Sequence, residues 1–177
     1  MGEIGAGRGR YSVILANHVG DKGHLYANDI DREALDYLDF RCERDGIKNI
    51  STIQGQETDP LLPDNTLDML FIVNSYHHFS HPAELLKNAY PALKSKGTLV
   101  IIEGVPGRGW SGHTTSQKDL IEHTEKAGFS FLKVADELEK EPSAEDVRAG
   151  QAMSPGWNRS MRRGMGGPYG RGRSGGA

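Results

Sequence analysis

Short apolar runs alternate with stretches of helical periodicity along the first 135 residues. The run at 68–74 is apolar between its two ends and too short for a helix, which is typical of a strand buried on both faces of a parallel sheet. Residues 32–44 instead place their apolar side chains on one helical face. The pattern predicts strands at 1–4, 24–28, 49–54, 68–74, 98–103 and 129–135, and helices at 11–17, 32–44, 82–93 and 117–127.

Prolines and glycines mark where these elements end. Pro82 suits the first turn of its helix, where a missing N–H costs nothing, whereas Pro91 must kink that helix or end it early. Gly97 is expected to stop the segment before strand 98–103, and Gly128 to stop the last helix.

Strands separated by helices imply right-handed crossovers and therefore an α/β fold with an open, doubly wound, Rossmann-like and mostly parallel sheet. Such sheets bind ligands at the carboxyl ends of their strands, near the point where the strand order reverses. Polar and glycine-rich residues fall at five such ends, which are 3–9, 29, 54–57, 74–79 and 103–113.

The composition is that of one soluble domain, with 36% hydrophobic and 25% charged residues. No apolar run reaches the roughly 20 residues that span a bilayer, and no signal-peptide pattern precedes the first strand. The single cysteine, Cys42, excludes an internal disulfide and a cysteine-based zinc site. A cytoplasmic location without membrane contact is the default expectation.

The charge distribution divides the chain in two. All 24 acidic residues lie before residue 147, whereas 147–177 hold six arginines and no acid. We expect a domain at 1–140 and a glycine-, arginine- and serine-rich tail at 141–177, disordered because it cannot bury enough apolar surface. Its arginine-glycine stretch resembles those of RNA-binding proteins, but it lacks a regular repeat, so a tail without a selected function is favoured over a nucleic-acid contact.

A glycine loop follows the first predicted strand. Glu3 precedes Gly5, Gly7 and Gly9, and Asp29 closes the second strand twenty residues past the last of these glycines. Glycines let the backbone approach a ligand closely, and a carboxylate at Asp29 can accept both hydroxyls of a ribose. A dinucleotide loop would need a further glycine where Arg10 stands.

Five motifs, in order and spacing, resemble the class I S-adenosylmethionine-dependent methyltransferases over about residues 3 to 140. They are Glu3–Gly9, Ala27-Asn28-Asp29-Ile30-Asp31, Asp59-Pro60-Leu61-Leu62-Pro63, Asn74-Ser75-Tyr76-His77-His78-Phe79 and Ala127-Gly128-Phe129. The resemblance is specific for the superfamily and does not name a substrate.

The resemblance implies a role for each matching position in binding S-adenosylmethionine. The three loop glycines would contact the amino-acid portion of the cofactor, and Glu3 would orient the loop. The implied contacts elsewhere are Asp29 at the ribose, Gln56 and Glu57 near the adenine, and Asn74 beside the methionine moiety. Asp29 as a helix cap and Glu57 as a solvated loop acid are the competing interpretations.

The histidines raise the question of a metal or a base. His77, His78 and His81 form no metal site by our interpretation, because no cysteine supports one and adjacent side chains diverge in an extended segment. Methyl transfer from a sulfonium is a direct displacement that needs positioning and, for an O–H or N–H acceptor, a base. His78 and His113 are the candidates for that base. A packing role competes for His78, and a role at the entry of a helix competes for His113.

The chain departs from the resembled pattern at both ends. Only two residues precede Glu3, so we expect a short first strand, and 136–177 do not continue into a seventh, antiparallel strand. An incomplete sheet leaves strand edges unpaired, and we therefore expect low stability and little activity.

We thus expect an S-adenosylmethionine-dependent methyltransferase that acts on a small molecule. A cofactor-binding or inactive fragment and an RNA-associated methyltransferase that uses the basic tail remain the alternatives. The sequence does not identify the methyl acceptor, a catalytic base or the oligomeric state.

Overall fold

The computed structural model describes residues 1–104 and 115–135, which hold five strands and four helices, with a helix between successive strands except between the third and the fourth. The strands are β1 (Gly2–Ile4), β2 (Leu25–Asp29), β3 (Ile50–Gln54), β4 (Leu67–Val73) and β5 (Leu93–Ile102). The helices are α1 (Ser12–Val19), α2 (Arg32–Asp45), α3 (Pro82–Ala89) and α4 (Gln117–Lys126), with short 3₁₀ turns at Tyr76–His78 and Tyr90–Ala92. No helix among these residues is long and apolar enough to cross a membrane.

The strands form one parallel sheet in the order β3-β2-β1-β4-β5. This confirms the predicted doubly wound α/β class. β1 is central, and all three of its residues are buried between β2 and β4. From β1 the chain builds the sheet first toward β2 and β3 and then, on the opposite side, toward β4 and β5. The strand order therefore reverses between β1 and β4, and the loop after β1 occupies the position where such sheets bind ligands.

Apolar side chains from both faces of the sheet form the core. The predicted apolar face of α2 is buried, and it comprises Ala34, Leu35, Leu38 and Cys42. The larger cluster joins β4 to α3, with Leu70, Ile72 and Leu86 fully buried. Asp31 caps α2 by accepting hydrogen bonds from the amides of Glu33 and Ala34, which satisfies two amides without partners in the helix.

Two boundaries differ from the prediction, namely the end of α3 and the start of β5. The helix predicted at 82–93 ends at Ala89, and Pro91 lies in the 3₁₀ turn that follows it, as the early-end prediction required. Gly97 does not stop the segment, because β5 already begins at Leu93. The register jumps from the pair Leu67–Leu93 to the pair Met69–Thr98, so Gly97 lies in an irregularity where a Cβ atom would be 3.0 Å from the Leu67 carbonyl oxygen.

The strand predicted at 129–135 does not form. Leu132 is 77% exposed, and β5 pairs only with β4 among the described strands. A strand is stable only where a neighbour pairs its amides and carbonyls, so apolar composition alone does not produce one here. The chain divides after Leu132 into Met1–Leu132 and a second unit that is described only as far as Ala135. The predicted boundary at 140 and the predicted tail lie outside the described residues.

Leu70→Ala should lower the free energy of unfolding by about 2–5 kcal/mol, because it opens a cavity in the fully buried part of β4. Leu132→Ala is the matched control, since its exposed side chain should change stability by less than about 0.5 kcal/mol. Chemical denaturation followed by circular dichroism measures both. Equal effects of the two substitutions would contradict the placement of the core.

Candidate functional site

The glycine loop turns sharply at the end of β1. The amides of Gly5 and Ala6 both donate to the carbonyl oxygen of Asn28, at 2.9 Å each, so the loop crosses the end of β2. Gly5, Gly7 and Gly9 have φ angles of 78°, 52° and 76°, in the left-handed region that side chains with a Cβ atom disfavour.

The three glycines are surrounded differently. A Cβ atom on Gly5 would collide with the side chain of Ser75, and one on Gly9 would collide with the side chain of Leu38. A Cβ atom on Gly7 would meet no atom within 4 Å. The outer two glycines therefore allow close packing within the protein, whereas Gly7 faces open space in which a ligand can approach the backbone.

Asp29 holds the tip of the loop from the end of β2. The Gly7 amide donates to its Oδ2 at 2.7 Å, and the Asp31 amide donates to its Oδ1 at 2.9 Å. Because Asp31 and not Asp29 caps α2, the alternative interpretation of Asp29 as the helix cap is not what the structure shows. A carboxylate has about four acceptor positions, so each oxygen of Asp29 keeps one for a further donor.

Glu3 lies beneath this loop and is 1% exposed. The pKa of its carboxyl is raised to about 7, mainly by burial. The hydrogen bond donated by the Ser12 hydroxyl works against this rise, and the nearby Asp29 charge adds to it. Glu3 thus connects β1 to the first turn of α1.

The ends of β2 and β3 are joined by one buried amide. Asn28 donates from its Nδ2 atom to the carbonyl oxygens of Ile53 at 3.1 Å and Pro60 at 2.8 Å. The loop between these two acceptors holds Gln56 and Glu57, and both are exposed. The structure therefore places the two predicted adenine-side residues at the carboxyl edge of the sheet, and neither forms a hydrogen bond with the glycine loop.

The end of β4 lies beside the glycine loop. Asn74 has a φ angle of 52°, a conformation that asparagine tolerates better than most residues, and its amide donates to the carbonyl oxygen of Ile102 at 2.8 Å. The Ser75 hydroxyl donates to the carbonyl oxygen of Ile4 at 3.2 Å. This bond ties the segment after β4 to the residue that enters the glycine loop.

The histidines occupy different surroundings. His77 places its Nδ1 atom 2.7 Å from Oε2 of Glu103, whereas His78 is exposed. The segment is a 3₁₀ turn and not extended, so the two rings do not diverge and their centroids are 4.0 Å apart. His113 lies outside the described residues. Among residues 1–104 and 115–135, no three histidine, cysteine, aspartate or glutamate side chains are grouped as metal ligands would be.

The structure brings the predicted glycines, Glu3 and Asp29 into one connected loop and places Asn74 next to it. Sequence reasoning assigned no role to the polar partners at this edge of the sheet, which are Ser12, Asn28, Ser75 and Glu103. Asn28 and Ser75 lie within the motifs that carry the resemblance, and Glu103 directly follows the apolar run of β5, so a signal existed for these three residues.

Comparisons with known proteins agree with this geometry. The family described as "Methyltransferase domain" matches residues 2–97, which is more than half of the chain. The chain therefore belongs to the methyltransferase-domain family. It is also similar to a structure described as a SAM dependent methyltransferase from Aquifex aeolicus, with 29% identity, a TM-score of 0.65, and coverage of 72% of this chain and 70% of that one.

Several curated relatives that this chain matches are named demethylmenaquinone methyltransferase. The one from Geobacillus sp. (strain WCH70) is 25% identical over 129 residues, which are 73% of this chain and 50% of the relative. The one from Anoxybacillus flavithermus is 25% identical over 101 residues, which are 57% of this chain and 43% of the relative. The chain thus spans about half the length of the curated relatives it matches.

Glu3 should make stability depend on pH in the direction opposite to that of an ordinary paired acid. Well below pH 4.5 the Glu3 carboxyl is protonated in both the folded and the unfolded chain. Between pH 4.5 and about 7 it ionises only in the unfolded chain, so the free energy of unfolding should fall by up to about 3 kcal/mol, and it should level off above pH 7. Glu3→Gln keeps an acceptor for Ser12 and should remove this fall.

Denaturant unfolding at a series of pH values measures the effect, with the exposed Glu43→Gln as control. The difference between wild type and Glu3→Gln should grow as pH rises through this window, whereas Glu43→Gln should follow wild type. A difference that stays constant with pH would contradict the raised pKa.

Proposed function

We propose that this chain is the cofactor-binding part of an S-adenosylmethionine-dependent methyltransferase that acts on a small molecule. Family membership supports the class of activity, and the site supports the cofactor. The contact that carries the proposal is the hydrogen bond from the Gly7 amide to Asp29. It places a carboxylate with free acceptor positions beside a glycine that faces open space.

The residues present fit S-adenosylmethionine at the level of donors and acceptors. Two remaining acceptor positions on Asp29 match the two hydroxyls of a ribose. The open face of Gly7 admits the amino-acid portion of the cofactor close to the backbone, and Gly5 and Gly9 keep the loop in its turn. Beneath the loop, the buried Glu3 carboxyl accepts the hydrogen bond that the Ser12 hydroxyl donates from the start of α1.

The remaining predicted contacts surround this position along the sheet edge. Gln56 and Glu57, after β3, are proposed for the adenine side, and their exposure leaves them accessible to a ligand. Asn74, after β4, is proposed for the methionine side, and the bond between Ser75 and Ile4 keeps that segment beside the loop.

For the acceptor we propose a small molecule with an ionisable hydroxyl, such as the reduced form of a demethylated quinone. The names of the curated relatives support this substrate class. When bound, the cofactor supplies an electrophilic methyl group on a sulfonium. The protein need only align the acceptor with this methyl group, exclude water and accept a proton. The candidates for the proton acceptor from the sequence are His78 and His113.

We expect S-adenosylhomocysteine to bind the full chain and NAD not to bind, because Arg10 stands where a dinucleotide loop needs glycine. Isothermal calorimetry with both ligands measures this. Tighter binding of NAD than of S-adenosylhomocysteine would contradict the proposed cofactor.

Asp29→Ala should weaken binding of S-adenosylhomocysteine by about 1.5–3 kcal/mol, because charge-assisted hydrogen bonds to the ribose are lost. The exposed Asp21→Ala removes the same charge from the turn after α1 and should bind as wild type does. Circular dichroism establishes that both variants are folded. Unchanged affinity in Asp29→Ala would show that this carboxylate only holds the loop.

A further inference from the structure

Glu103 forms a buried pair with His77 at the edge where β4 and β5 end. Its carboxylate is 4% exposed and the histidine side chain is 11% exposed. The Tyr76 amide donates to Oε1 of Glu103 at 2.7 Å, while Oε2 lies 2.7 Å from Nδ1 of His77. Both oxygens are engaged within one 3₁₀ turn, so the carboxylate is fixed and the imidazole ring is held by it.

This contact decides which ring nitrogen carries the proton. A carboxylate oxygen only accepts, so the neutral ring must donate from Nδ1, which leaves Nε2 with a free lone pair. Nε2 makes no hydrogen bond with any residue of 1–104 or 115–135. A histidine whose Nδ1–H is held by a carboxylate is oriented to take a proton at Nε2.

The turn that bears His77 abuts the glycine loop. Ser75, two residues before it, donates to Ile4, and a Cβ atom on Gly5 would lie 3.8 Å from the ring of Phe79, two residues after it. Tyr76 anchors the turn from the other side, because its hydroxyl lies 3.0 Å from Nδ1 of His123 on α4. His77 is therefore held on a fixed turn next to the proposed cofactor position.

We infer that His77 is the base that accepts the proton of the methyl acceptor at Nε2, and that Glu103 is the residue that positions it. The inference rests on the proposed methyltransferase function and transfers the role of base from His78 to its neighbour. In the step, an electron pair of the acceptor forms the bond to the methyl carbon. The carbon–sulfur bond breaks with its electrons remaining on sulfur, and the acceptor proton passes to His77.

The first experiment reads the ring tautomer by ¹⁵N NMR of the histidines in the full chain at pH 9. We expect a protonated Nδ1 and a bare Nε2 for His77. Glu103→Gln keeps an oxygen for the Tyr76 amide but turns an amide donor toward Nδ1, so it should invert the tautomer. A protonated Nε2 in the wild-type chain would overturn the inference.

The second experiment compares S-adenosylmethionine with S-adenosylhomocysteine, which differ by one methyl group and one positive charge. If His77 faces the transferred methyl, its Nε2 resonance should differ between the two complexes by more than that of the exposed His81. Equal shifts in both complexes would overturn the inference. Absence of binding in calorimetry would instead contradict the proposed function, so the two failures are distinguishable.

The third experiment measures methyl transfer to short-chain demethylmenaquinol. His77→Gln should lower kcat by roughly 100-fold or more with little change in KM for the cofactor, and Glu103→Gln should lower it by roughly 10- to 100-fold. His81→Gln is the control and should stay within about threefold of wild type. A larger loss in His78→Gln than in His77→Gln would return the role to His78. A wild-type chain that methylates another small-molecule acceptor but leaves this quinol unmethylated would contradict the proposed acceptor class.

Discussion

The amides of Gly5 and Ala6 share one acceptor, the carbonyl oxygen of Asn28, and the rest of the site depends on that shared bond. It forces the chain that leaves the central strand β1 to cross the end of β2. The Gly7 amide then reaches Asp29, and the loop closes over Glu3. A side chain at Gly5 would prevent this turn, because it would collide with Ser75 on the other side.

The site is stabilised by polar groups that the core would otherwise exclude. Burial of Glu3 disfavours the ionised form of its carboxyl and therefore raises its pKa. The hydrogen bond from the Ser12 hydroxyl offsets only part of this effect. Asn28 is also buried, and it uses its side-chain amide to hold the loop after β3. Two buried polar side chains, Glu3 and Asn28, therefore lie beneath the ligand-binding edge, and of these two only Glu3 retains a cost of burial that its hydrogen bond does not offset.

At the carboxyl edge of the sheet, the acids at the ends of β2 and β5 play similar structural roles. After β2, Asp29 accepts from backbone amides and fixes the tip of the glycine loop. After β5, Glu103 accepts from the Tyr76 amide and fixes the turn that carries His77. In each case an acid that ends one strand orients a loop from a neighbouring strand, so the parallel sheet brings together groups that are 22 to 27 residues apart.

The sequence by itself determined which strands and helices form up to α4, the glycine loop and the acid that ends β2, but not where α3 ends and β5 begins. These signals are local: continuous apolar runs mark strands buried on both faces, and glycine spacing marks a backbone that must turn. Adjacent residues such as His77 and His78 carry the same local signal, so no pattern distinguished the one that meets Glu103. Only the tertiary structure decided that pairing, because it depends on which side chains the packed sheet edge brings within hydrogen-bonding distance. The same reason explains why 129–135 is not a strand, since strand formation requires a partner that local sequence does not specify.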